Sequence, residues 1–127
     1  MRHKERILVM DENTSDFKNI EKILKENGFG EITLAMTENE AIEKAKSLNP
    51  EIVIVDTSLD QAHEHLVAKV IKILENFSAH IILITGFNDS LGIRNPILWA
   101  EDESNISGII DKSADLHSLV KLVEDSC

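Results

Sequence analysis

Short continuous apolar runs alternate along this chain with longer stretches in which apolar residues recur every three or four positions. Ile7-Leu8-Val9-Met10, Ile52-Val53-Ile54-Val55 and Ile81-Ile82-Leu83-Ile84 are such runs. Runs of this length suit strands buried on both faces, as in a parallel sheet. Residues 32–35 and 106–111 read as two further strands. Between them lie helical patterns. Phe17, Ile20, Ile23 and Leu24 follow the cap-forming cluster Asn13-Thr14-Ser15, and Gly28 closes that helix as its C′ residue. Thr37-Glu38-Asn39-Glu40 fits a capping box, opening a helix with Ala41, Ile42, Ala45 and Leu48 on one face. Asn49-Pro50 stops it, because proline disfavours the helical region for the residue before it.

Later helices are expected at about 64–76, with Leu66, Val67, Val70, Ile71 and Leu74 inward, and around 96–103, with Pro96 in the first turn. A final helix, capped by Ser113, has Leu116, Leu119, Val120 and Val123 inward. The order is five β-then-α units in a single domain over 1–127. Alternating β and α elements imply a parallel sheet with helices on both sides. Right-handed crossovers then place every strand's carboxyl end on one edge. Asp11 and Glu12, Asp56, Thr85 and Lys112 all stand at such ends, so the topology lets them converge.

Composition narrows the class. The 127 residues are 43% hydrophobic and 28% charged, ordinary for a globular domain. The net charge of −10 disfavours direct binding to nucleic acid or to an anionic membrane. No apolar run approaches the roughly 20 residues needed to span a bilayer. The basic stretch at 2–6 precedes an apolar run too short for a signal peptide. The one cysteine, Cys127, allows no intrachain disulfide. These features read as a cytoplasmic protein without membrane insertion.

Three carboxylates at one edge repel one another, and a divalent cation removes that repulsion. Oxygen-only donors favour Mg²⁺ or Mn²⁺ over zinc. Lys112 adds a point charge and Thr85 a hydroxyl donor, both suited to phosphoryl oxygens. Gly86 leaves room beside Thr85. The set can perform phosphoryl transfer with a carboxylate as nucleophile. Asp56, central on the edge, is the expected nucleophile. Singly, each of these residues is ordinary: Asp11-Glu12 a solvated turn, Thr85 a strand end, Lys112 a surface cation. The chemistry rests on their order and register.

The runs Ile7-Leu8-Val9-Met10-Asp11-Glu12, Pro50-Glu51-Ile52-Val53-Ile54-Val55-Asp56, Ile82-Leu83-Ile84-Thr85-Gly86 and Asp111-Lys112 occur in order at near-standard spacing. The chain thereby resembles, over essentially its whole length, the receiver domains of two-component response regulators. The resemblance implies a flavodoxin-like, three-layer, doubly wound five-stranded parallel sheet with strand order 2-1-3-4-5. It implies that Asp56 accepts a phosphoryl group from a histidine kinase or a histidine phosphotransfer protein. It implies Mg²⁺ held by Glu12, Asp56 and the backbone carbonyl of Ser58, with Asp11 acting through water. Thr85 and Lys112 would hold the phosphoryl oxygens. Their shift on phosphorylation would remodel the face made by the fourth helix, fifth strand and last helix, towards an unidentified output domain or protein. Such a domain is a signalling phosphoacceptor that assists its own phosphorylation and dephosphorylation, not a separate enzyme.

The sequence departs from the family at four places. Leu59-Asp60 stands where Met-Pro is usual, and Ser113 where a proline follows the lysine. Ile110 occupies the place of the switch aromatic. The stretch from Thr85 to Lys112 is a few residues longer than usual. These departures support a second reading, a pseudo-receiver that acts as a phosphorylation-independent interaction module. A haloacid-dehalogenase-type phosphatase needs an Asp two residues after the nucleophile, where this chain has Ser58. A dinucleotide-binding enzyme needs a glycine-rich first turn, which Asp11-Glu12-Asn13 lacks. His63 and His65, two apart, do not share a helix face and read as surface. Trp99 reads as half-buried, and Cys127 as a chain end without a role.

Overall fold

The computed structural model describes residues 3–11, 14–56, 79–85, 106–111 and 116–126. The expected helices at 64–76 and 96–103, and His63, His65, Trp99 and Cys127, lie outside these residues. Five strands form one parallel sheet. They are β1 (His3–Met10), β2 (Phe29–Ala35), β3 (Ile52–Asp56), β4 (His80–Thr85) and β5 (Ile106–Asp111). Three described helices accompany them: α1 (Thr14–Glu26), α2 (Glu38–Leu48) and α3 (Leu116–Asp125). The strand order is β2-β1-β3-β4-β5, the doubly wound order expected above. β1 and β2 both begin earlier than the apolar pattern suggests, because His3 pairs with Phe29 ahead of the buried run.

Alternation along the strands divides the core in two. Ile7, Val9, Ile52, Ile54, Ile82, Ile84 and Ile110 pack with Ile20 and Leu24 of α1 and Leu119, Val120 and Val123 of α3. Leu8, Met10, Val53, Val55, Ile81 and Leu83 pack on the other face with Ala41 and Ala45 of α2. Successive strand residues point to opposite faces, so continuous apolar runs are what a sheet covered on both sides requires. Each fully buried Ile, Leu or Val contributes about 1.5–3 kcal/mol. Small alanines on α2 let that helix lie close to the sheet.

The helix ends form much as expected. The Glu40 amide donates to Thr37 Oγ1 at 3.1 Å, with Thr37 in extended backbone, as an N-cap residue should be. The Glu40 carboxylate turns instead to Lys44, at 3.6 Å. Gly28, with φ 96°, follows α1 in the left-handed region, which a C′ residue needs. α2 stops where predicted, but Asn49 does not take the extended conformation that Pro50 favours. It adopts φ 50°, ψ 62° and donates its amide to Ala45 O at 2.9 Å. Asparagine tolerates the left-handed region better than most side chains. Arg6 fastens this corner: Nε donates to Leu48 O at 2.8 Å, and Nη2 to Asn49 O at 3.0 Å and Glu51 Oε1 at 2.7 Å. No described helix is long and apolar enough to cross a membrane.

Candidate functional site

The site is built by the sheet's order. The chain steps from β1 outward to β2, then returns across β1 to β3. The strand order therefore reverses between β1 and β3. Open α/β sheets bind ligands at such a switch point. Met10 pairs with Val55 as the last registered pair of β1 and β3. Asp11 and Asp56 each follow that pair by one residue, on strands about 4.8 Å apart. Two carboxylate-bearing residues thus stand side by side at that switch point.

Asp11 is 2% exposed, and among the described residues it is the one charged side chain in the buried core. Its amide donates to Ala35 O at 3.0 Å, which ties the end of β1 to the end of β2. Burial of a carboxylate is costly unless other groups compensate its charge. That carboxylate stands at the edge where open α/β sheets bind their ligands.

The other edge residues follow in register. Asp56 pairs with Ile84, and the next position on β4, Thr85, pairs with Asp111 on β5. Backbone positions of Asp11, Asp56, Thr85 and Asp111 therefore line one edge across four strands. Lys112 follows Asp111 directly in the chain. Glu12, Ser58, Gly86 and Lys112 lie outside the described residues, as do Leu59, Asp60 and Ser113, and the side chains of Asp56, Thr85 and Asp111 are likewise not described. Among the described residues no three metal-ligating side chains gather at one point. Carboxylate and hydroxyl oxygens, the donors that Asp11, Asp56 and Thr85 bring by residue type, are the kind that a hard divalent cation such as Mg²⁺ takes.

Ile110 has a definite place. It pairs with Ile84 and is 8% exposed, inside the cluster beneath α1 and α3. Met36, which the apolar pattern does not single out, is an exposed large hydrophobic residue just past β2, at the same edge as the site. Its signal is weak: one apolar residue between a strand end and a capping threonine.

A family profile for the response regulator receiver domain matches residues 7–124. No curated protein matches. The fold is similar to several solved structures. A response regulator from Thermotoga maritima has a TM-score of 0.75 at 18% identity, with 98% of each chain covered. A response regulator receiver protein from Burkholderia phymatum gives 0.75 at 20% identity, covering 97% of this chain and 94% of that one. A receiver domain protein from Clostridium thermocellum gives 0.74 at 21%, covering 96% and 93%. At these identities the likeness speaks to the fold alone.

Proposed function

The chain belongs to the response regulator receiver domain family, and on that premise we propose that it is a phosphoacceptor working on Asp56. A histidine kinase or a histidine phosphotransfer protein is the donor, and the reaction depends on Mg²⁺. One observation carries the reading: the buried carboxylate of Asp11 beside Asp56 at the β1–β3 switch point.

In the reaction an Asp56 carboxylate oxygen attacks phosphorus and forms a P–O bond. The P–N bond to the donor imidazole breaks, and the imidazole nitrogen takes up a proton. Asp11, Glu12, Asp56 and the Ser58 carbonyl would hold Mg²⁺, directly or through water. A cation held by these residues would neutralise charge on the phosphoryl oxygens. Thr85 donates a hydrogen bond to one phosphoryl oxygen, and Lys112 balances the charge of another. Thr85 sits beside Asp111 in the β4–β5 register, so a pull on it is passed to β5 and the last helix, and from there to the output partner. We place the domain in the cytoplasm with no direct contact to nucleic acid, in keeping with its net charge of −10.

The pseudo-receiver reading draws on Ile110. A buried aliphatic residue has no large ring to swing between exposed and buried positions, so signalling by that route is closed. Output through Thr85 and β5 stays open. Treatment with acetyl phosphate and Mg²⁺, followed by borohydride reduction and peptide mapping, separates the two. Reduction of Asp56 alone supports the phosphoacceptor. Label on Asp11 or Asp111 instead contradicts the assignment of the nucleophile, and absence of label favours the pseudo-receiver.

A further inference from the structure

At the sheet's amino edge, opposite the candidate site, a recess of about 830 Å³ lies between β1, β2 and the end of α1. Lys4, Arg6, Lys25 and Glu31 line it with Gly28 and Gly30. Three cations against one carboxylate make a basic spot on a chain of net charge −10. Arg6 is already engaged with Glu51 and the end of α2. Lys25 has Glu21 at 3.4 Å on its own helix, yet its side chain is 55% exposed, and Lys4 is also exposed.

Two backbone features shape the recess. From His3–Phe29 to Arg6–Glu31, β1 advances three residues while β2 advances two. That is a bulge, and β2 is the outer strand of the sheet. Gly30 lies opposite it. A Cβ at Gly30 would meet nothing within 4 Å, and its φ is not in the left-handed region. Neither packing nor backbone conformation within the chain calls for glycine here, and glycine weakens a strand. A strand glycine goes with a bulge or with a place where another backbone can come close, and the open space beside Gly30 leaves room for the second.

We propose that this recess docks an extended acidic segment of a partner protein. Its carboxylates meet Lys4 and Lys25, and its backbone crosses Gly30. The contact is independent of the phosphoryl site, which occupies the other edge of the same sheet. A dye-labelled hexaglutamate peptide is the probe, added to the full ¹⁵N-labelled chain. The largest amide shifts are expected at 25–31 and at Lys4. The doubly reversed variant Lys4→Glu, Lys25→Glu should bind about tenfold more weakly or worse. Gly30→Val should also bind more weakly, with a thermal midpoint no lower than that of the parent, which separates lost binding from lost fold. Equal shifts with a glycine-serine peptide, shifts centred elsewhere, or affinity unchanged in the reversed variant would each overturn the proposal. So would displacement of the peptide by inorganic phosphate saturating the same amides, since that describes a small-anion site.

Discussion

Leu122 of α3 closes directly over Gly108 of β5: a Cβ built on Gly108 would stand 2.8 Å from Leu122 Cδ2 and 3.0 Å from Cδ1. Nothing larger than hydrogen fits there without movement of Leu122. Gly108→Ala should therefore cost about 1 kcal/mol and Gly108→Val about 2–3 kcal/mol. Urea unfolding checks this. Leu122→Ala should cost less in the alanine background than in the parent, and a strictly additive pair would show that the two residues do not touch energetically.

Arg6 is the second point of leverage, because one guanidinium closes the end of α2 and pairs with Glu51. Its side chain is 43% exposed, so solvent screening tempers the ion pair, and the bonds to the carbonyls carry most of the effect. Arg6→Met keeps the aliphatic stem and should lower stability by about 1–2 kcal/mol. Arg6→Lys should recover little, since a lysine cannot reproduce the planar fork.

Thr37 caps α2 through a single hydrogen bond to the Glu40 amide. Thr37→Ala should cost about 1 kcal/mol, and Thr37→Ser should cost much less. Both values follow from chemical denaturation.

Asp11 should set how much Mg²⁺ stabilises the chain. In metal-free buffer, Asp11→Asn keeps the side chain's size but changes the interactions of a buried carboxylate, so parent and variant are each compared with their own metal-free midpoint. With Mg²⁺ at about 100 times its dissociation constant, the parent should gain about 2.7 kcal/mol. The variant should gain clearly less. Thermal unfolding with and without Mg²⁺ reads both arms, and equal gains would exclude Asp11 from the metal site.

The apolar runs carried most of the fold. In Ile52 to Val55 and Ile81 to Ile84 every residue is buried, and only a sheet covered on both faces makes use of such a run. Helix ends were equally legible where a local rule acts, as at Thr37 and Gly28. Asn49 was not, because two local preferences compete there and the left-handed one prevails. The role of Arg6 was hidden for another reason: its partners lie more than 40 positions away, and no spacing rule reaches that far. At the site, Asp11 and Asp56 could be placed on one edge from topology alone. The burial of Asp11 could not, since it depends on how the end of β1 is tied to Ala35.

Metal-dependent phosphoryl transfer to Asp56 has a direct signature, a mass gain of one phosphoryl group. Intact mass spectrometry after incubation with acetyl phosphate tests it most directly, run with and without Mg²⁺ on the parent and on Asp56→Asn. One phosphoryl group is expected on the parent with Mg²⁺, and none on the variant or with the metal chelated. An adduct that forms equally well without Mg²⁺, or that persists in Asp56→Asn, would contradict it.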